Sequence, residues 1–501
     1  MKKFIYIAIL LGILGISISC SEDIMDDINK NVNDPENMSS RLILTDMMTS
    51  TAFSVTGSDL AFYASVYVEH NVGIYNQSYN AEIRSNEPTS STTYNNSWNT
   101  LYDNLSNLKT IIEKCSEGGD EEGNYYNLGI AQILSAYNLA VLTDLMGDIP
   151  WTEALQPGII FTPQLDSQQE IYDVIFKFLD DGIANLSMDS DFPYLGEQDF
   201  IYGGNTESVN IASIAKWIKF GYGLKARYTM RLSHKSPNYA EVINLANKSF
   251  ANKAEEAKFV KYDGKSAVSP FYKFYTDRNY FGASQSLNDK LLERNDPRDE
   301  VFFKPNEDLD EIEFAINGSP AQVQGRYGLS AISSATAPTY LLSYHEIEFL
   351  KAEAYARQGA GTLTQAKDAL KKAVVAAFTK SNVGLTAAVA NEYFDTRIAG
   401  RLTTPEATLS EIMVQKYLAF YEEEAIEAYN DYRRLEAMGD NFIELKNPLN
   451  SNKFPQRFTY GASDVTTNEN VRSTYGDGTY VYTEKVWWAG GTRKKIKQAL
   501  I

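Results

Sequence analysis

Histidine is nearly missing from this 501-residue chain: His70, His234 and His345 are the whole set, and they lie in no metal-ligand spacing. A Gly-x-Ser-x-Gly elbow, a phosphate loop and a dinucleotide fingerprint are also absent, which removes the common nucleophilic and nucleotide chemistries. The one catalytic arrangement that spacing leaves open is a glycosidase pair drawn from the 65 acidic residues. Positive charge is short as well. Against those 65 acids stand 46 Lys and Arg, for a formal charge of -19. Such a chain is a poor partner for nucleic acid and for anionic lipid surfaces, both of which need clustered cations. There are two cysteines, Cys20 and Cys115, so no disulfide framework is available once Cys20 is otherwise engaged. After the first 20 residues no stretch is long and apolar enough to span a bilayer, for which about 20 residues are needed.

What is present begins at the N-terminus. Met1-Lys2-Lys3 precedes an apolar run, Phe4 to Ile18, that stops at Ser19 and Cys20. A positive start, a short apolar run and a small residue before the cut make a secretory signal over residues 1–19. A Cys at the cut predicts a bacterial lipoprotein with Cys20 as the acylated N-terminus. Ser17 stands where a lipobox usually has an aliphatic residue, and an ordinary cut near Ser19 would instead leave Cys20 free. Two or more acyl chains hold a protein stably on a membrane. An acidic segment, Ser21 to Asp27, follows at once. Residues 20–501 then form the mature chain, two positive charges poorer; the full sequence is 44% hydrophobic, enough to fill a large core. Cys115 reads as a buried thiol without chemistry.

Apolar periodicity predicts a mostly α-helical fold. Asn124 to Leu145 repeats at steps of three and four and ends at Gly147 and Pro150. Ser343 and Glu346 form a capping box for a helix to Arg357, followed by a second helix at about Gln365–Phe378. Ala354, Ala366, Leu370 and Ala373 match the small-residue spacing of one degenerate tetratricopeptide-like helix pair, without a clean repeat. The stripe from Met413 to Leu435 predicts one long helix ending before Gly439. Further helices are expected over Arg41–Val55, Thr93–Cys115, Ser167–Leu186, Ile211–Leu232 and Tyr239–Asn252. Asp189–Ser208, Ala254–Thr339 and Gly439–Gly491 read as non-helical, so long irregular loops on a helical frame are expected to carry function.

Six short stretches, in order, resemble the SusD/RagB family of outer-membrane lipoproteins. They are Asp144–Ala154, Asn295–Arg298, Ser343–Ala354, Gln415–Tyr417, Glu427–Arg434 and Pro455–Phe458, behind the Cys20 signal. The resemblance implies a single SusD-like domain with tetratricopeptide-like helix pairs as scaffold. It further implies a lipid-anchored protein on the extracellular face of the outer membrane, acting as a lid over a SusC-like TonB-dependent transporter. The implied ligand is a nutrient, most often a glycan, without enzymatic activity or cofactor. The acidic run after Cys20 then resembles a surface-export signal.

Sugar binding needs flat aromatic faces for the C–H faces of the rings and amides or charges for the hydroxyls. The chain holds 33 Tyr, 24 Phe and 5 Trp, enough that most must serve packing. Two stretches combine the required groups. The first holds Tyr75, Asn76 and Tyr79. The second holds Tyr275, Arg278, Tyr280 and Phe281. Trp98, spaced with Leu101, Leu105 and Leu108, reads as core, Trp151 as packing on the scaffold, and Trp487-Trp488 as core or interface. Glu422-Glu423-Glu424 reads as a solvated face. Arg433 and Arg434 read as a helix-terminal charge cluster paired with Glu427 and Asp431. A peptide ligand under the same lid, a surface glycoside hydrolase and a bare helical scaffold are the competing readings.

Overall fold

The computed structural model describes residues 38–85, 93–306, 309–476 and 478–492. The signal segment and Cys20 lie outside the described residues. From Ser40 onward the chain forms one compact unit, whose frame is helical. Helices α1 (Ser40–Ser50), α2 (Asp59–Tyr67) and α3 (Asn76–Glu82) lead into α4 (Asn95–Cys115), α5 (Tyr125–Met146) and α6 (Gln168–Leu186). Helices α7 (Glu207–Arg231), α8 (Tyr239–Lys248), α9 (Pro270–Arg278) and α10 (Gln285–Arg294) follow. Then come α11 (Tyr344–Arg357), α12 (Leu363–Phe378), α13 (Pro405–Ala419) and α14 (Ala425–Met438).

Helix α5 is the centre. Contrary to the expectation that no later stretch is long and apolar enough to span a bilayer, the 22 residues of α5 are, but every residue from Tyr126 to Met146 is buried, so the composition reflects a core position. Its crossing with α6 depends on glycine: a Cβ on Gly129 would lie 2.7 Å from the Gly182 carbonyl, and one on Gly182 2.9 Å from the Gly129 carbonyl. The tetratricopeptide-like pair is realised as α11 and α12, with Ala354, Ala366, Leu370 and Ala373 all fully buried between them and their neighbours. Trp98 is buried, and so are Cys115 and Trp488, whereas Trp487 is half-buried.

Several expectations fail for identifiable reasons. The stretch from Met413 to Leu435 is two helices, not one. The chain turns at Glu422, whose φ of 70° is left-handed, and the turn drives Glu422 and Glu424 inward. The triple-Glu run is therefore not a solvated face. Glu424 accepts from Ser343 Oγ at 2.7 Å and meets His345 Nε2 at 2.5 Å, while Glu423 pairs with Lys380 at 2.7 Å. Ser343 caps α11, but Glu346 turns its carboxylate to Arg227 instead of completing the box. The complete capping box belongs to Ser167 and Glu170 at α6. Nor are 254–339 and 439–491 free of helix. They contain α9, α10 and the short helices Ala462–Thr467 and Glu469–Tyr475, whose mixed aromatic and polar composition hides their periodicity.

Among the described residues four two-residue to four-residue ladders stitch the loops. The one that matters here pairs β1 (Asn71–Gly73) antiparallel with Phe281–Ala283, in register Asn71 with Ala283 and Gly73 with Phe281.

Candidate functional site

That ladder brings together the two aromatic stretches, which lie some 200 residues apart in sequence. Ile74 N–H donates to the Tyr280 carbonyl at 2.8 Å, extending the ladder by one bond. Two asparagines then turn the chain. Asn76 and Asn279 have φ of 48° and 49°, the left-handed conformation that Asn tolerates best among residues with a side chain. Gly73 is required at the root, because a Cβ there would sit 1.8 Å from the Ser78 carbonyl oxygen. Asn71–Asn80 is thus a strand folded tightly onto α3 rather than an open loop.

At the surface Tyr75 is half exposed, at 48%, and its ring centroid lies 5.5 Å from that of Tyr280. Tyr280 is nearly covered. Its hydroxyl accepts from Asn76 Nδ2 at 3.0 Å, and Phe274 packs edge-on beneath it at 5.8 Å. Tyr79 is half-buried and donates its hydroxyl to the Pro320 carbonyl at 2.8 Å. Arg278 is exposed, and its carbonyl accepts from Gln324 Nε2 at 3.0 Å. Tyr75, Asn76, Tyr79, Arg278 and Tyr280 therefore share one surface region.

Tyr275 and Phe281 do not. Phe281 is fully buried, because as a ladder residue it faces Phe62 and Phe274. The Tyr275 hydroxyl lies 2.7 Å from Asn71 Oδ1 and 2.8 Å from Glu422 Oε1, inside the core. Burial pushes the Glu422 carboxyl up to about 7, against the hydrogen bonds from Asn71 and Tyr275 that favour its charge. These two residues support the aromatic face from below and cannot stack on a ligand.

The sequence reading missed the third wall, the loop 313–328. Its ends are tied by Gly328 N–H to the Glu313 carbonyl at 2.8 Å and by Arg326 to Glu313 at 2.7 Å. It exposes Ile316 and Val323 at 65% and 48%, and Gln324 hooks it to α9. Gly318, Pro320 and Gly325 were the available turn signals. The same loop supplies Ala315 and Tyr327 to a small separate core with Val72 and Ile74.

Other concavities lie away from this face. A groove of about 550 Å³ runs along α12, lined by Tyr344, Lys371, Lys372 and Val375, with Lys253 Nζ spent on Thr379. Another of about 720 Å³ lies between Pro405 and Phe442. Among the described residues no group of His, Cys, Asp or Glu could hold a metal ion. His70 and His345 are buried and held down to about 3 by desolvation.

The six motif stretches form a different assembly. Arg298 pairs with Asp296 at 2.6 Å and donates to Gln415 at 2.7 Å. Lys416 pairs with Asp431 at 2.7 Å, and Arg434 joins Asp431 to Glu353 at 2.9 and 2.7 Å. On the other side Arg227 holds Glu346 at 2.7 Å and Arg231 reaches Asp144 at 3.3 Å and Glu427. Arg433 donates to the Asp144 and Gln456 carbonyls at 2.8 and 3.0 Å. Gly147, with φ of 88°, lets Arg457 approach to 2.9 Å of where a Cβ would be. Arg433 and Arg434 are fully buried, so they are not a solvent-facing helix terminus, although the pairing of Arg434 with Asp431 is as expected. The motifs are the polar interior of the scaffold, and the Tyr75–Tyr280 face lies outside them.

Known proteins share this fold. A family model described as SusD-like, starch-binding associating with outer membrane, matches residues 32–461. A SusD/RagB family protein from Bacteroides thetaiotaomicron is similar at 44% identity over 91% of this chain and 100% of its own, with a TM-score of 0.82. A chitin-binding SusD homolog from Flavobacterium johnsoniae shares the fold at 19% identity, covering 89% and 97% of the two chains with a TM-score of 0.68. So does a Bacteroides vulgatus protein described as "a putative outer membrane protein, probably involved in nutrient binding", at 20% identity over 90% and 100%, TM-score 0.70. No curated protein matches. With the match spanning most of its length, the chain belongs to the SusD-like family.

Proposed function

We propose that the protein is a lipid-anchored, outer-membrane nutrient-binding protein that captures an oligosaccharide on the Tyr75–Tyr280 face. The observation that carries the reading is the union of two remote aromatic stretches into one exposed ring edged by Asn76, Tyr79 and Arg278. An exposed tyrosine ring with amides around it is the chemistry a pyranose requires. The description of the family as starch-binding and of a structural relative as chitin-binding supports a glycan. Calorimetric titration of the mature chain with maltoheptaose and with chitohexaose should give binding to one of them, and the sugar should be recovered intact. Tyr75→Ala should weaken that binding about tenfold or more, the size expected when a central aromatic contact is truncated. Binding of neither sugar, or a Tyr75→Ala variant as tight as the parent, sinks the assignment.

The exposed apolar side chains of Ile316 and Val323 on the third wall favour a second reading, a peptide ligand. It predicts saturable binding of casein-derived peptides in the same calorimeter with no response to either sugar.

The partner in this reading is a SusC-like TonB-dependent barrel, over which the protein closes as a lid, with Cys20 as tether at the extracellular face. Cys20→Ala should shift the protein from the membrane pellet to the soluble fraction. Retention in the pellet would remove the anchor from the proposal.

A further inference from the structure

Glu82 closes α3 with no exposed surface, and its carboxylate is shared among three loops. Oε2 accepts from Gly73 N–H at 3.2 Å; Oε1 accepts from Gly318 N–H at 2.6 Å and from Asn447 Nδ2 at 3.2 Å. The same Asn447 amide donates to the Glu82 carbonyl at 2.8 Å. Two of these donors lie two residues from the face itself: Gly73 precedes Tyr75, and Gly318 precedes Pro320, which holds the Tyr79 hydroxyl. Close approach is built in, since a Cβ on Gly318 would fall 2.4 Å from Asn447 Oδ1. A second buried acid, Glu69, fixes the late loop by accepting from Lys446 and Asn447 N–H at 2.7 Å each.

We propose that Glu82 is the positioning residue of the Tyr75–Tyr280 face: its single carboxylate sets the spacing of the early, middle and late loops without touching ligand. The inference rests on the reading of that face as the ligand site. Its geometry has an electrostatic consequence. The charged groups acting on Glu82 are Arg84 just beyond α3 and Glu69 after α2, and Glu69 in turn faces Lys290 of α10. Burial dominates and lifts Glu82 to about 7, with Arg84 and the Gly318 and Gly73 amides opposing and Glu69 reinforcing. Opening the three loops returns the carboxyl to water and to its ordinary range near 4.5. The closed face therefore binds the proton that the open one releases. Opening becomes easier by up to about tenfold per pH unit from about 4.5 to 7, and levels off above 7.

Amide exchange of the mature chain between pH 5 and 8, corrected for intrinsic rates, reads this directly. In the parent, segments 71–75, 315–320 and 445–450 should show the pH-dependent opening, and the α5–α6 core should not. Glu82→Gln keeps the volume but turns an N–H toward either Gly73 or Gly318, so it should raise opening in the three segments about tenfold and abolish the pH slope. Glu82→Ala should raise it further in the same three segments. Affinity for whichever of maltoheptaose or chitohexaose binds the parent should fall about tenfold in Glu82→Gln. Unchanged exchange in both variants overturns the proposal. So does faster exchange with undiminished affinity while Tyr75→Ala abolishes binding. Binding that Tyr75→Ala leaves intact instead overturns the reading of the face, and exchange still reports whether Glu82 bolts the loops.

Discussion

Arg434→Ala lowers the stability of the protein by about 3–5 kcal/mol in urea unfolding at pH 7, the cost of breaking a buried ion pair from one side. Arg434 has no exposed surface, and its guanidinium meets both oxygens of Glu353 at 2.7 and 2.8 Å and Asp431 at 2.9 Å. Alanine leaves two buried carboxylates with one cation each: Arg357 on Glu353 and Lys416 on Asp431, both at 2.7 Å. Burial alone would raise Glu353, yet Arg434 and Arg357 hold it down to about 2. A depressed carboxylate contributes stability that is complete above its unfolded value near 4.5 and is lost as pH falls toward 2. In Arg434→Ala that contribution is missing already at neutral pH, so the deficit should hold from pH 7 to about 4.5 and shrink as pH falls from there toward 2. Arg434→Lys keeps the charge but not the two-pronged contact and should fall between. A loss under about 1 kcal/mol, typical of exposed pairs, would mean that water enters this interior.

The placement of that network explains what was legible in the sequence. Its residues sit on strongly periodic helices, so α5, α6, α11 and α12 follow from spacing, and the motif residues reveal the family. Their burial does not follow. Arg433 and Glu422 look like surface charges in a one-dimensional reading. Arg433 becomes interior because it donates to the Asp144 carbonyl at the end of α5 and lies 4.2 Å over Tyr429 and 4.8 Å over Trp488, and Glu422 because the chain turns inward at its φ of 70°. The candidate face was half legible for a similar reason. Composition marks Tyr75 and Tyr280 as ring-and-amide stretches, but a three-residue ladder decides that they meet. That ladder, buried along its whole length, also removes Phe281 from the surface, while Tyr280 just before it keeps its ring beside the exposed Tyr75. The 313–328 loop carries no aromatic signal on its exposed side, so nothing in composition singled it out.

Trp98→Ala should cost as much, about 3–5 kcal/mol, through a cavity that rigid surroundings cannot fill. Trp98 is 1% exposed, and it faces Tyr102 and Tyr460 with ring centroids at 5.0 and 5.3 Å. The chain at Gly461 is pressed against it, where a Cβ would lie 2.5 Å from the indole. Collapse into the gap is therefore opposed by backbone on one side and by α4 on the other. The indole N–H also donates to Asp464 Oδ2 at 2.7 Å. Burial raises the Asp464 carboxyl, and that hydrogen bond works against the rise. Trp98→Phe separates the two losses: it fills most of the volume but strands the carboxylate, for about 1–3 kcal/mol. Because the Asp464 carboxyl titrates above its unfolded value, protonation favours the folded state, so the Trp98→Phe deficit should diminish as pH falls through the acid range. Urea unfolding of both variants at pH 5 and pH 8 gives the comparison. A Trp98→Phe deficit equal at the two pH values would show that the hydrogen bond to Asp464 contributes nothing, leaving Trp98 a packing residue alone.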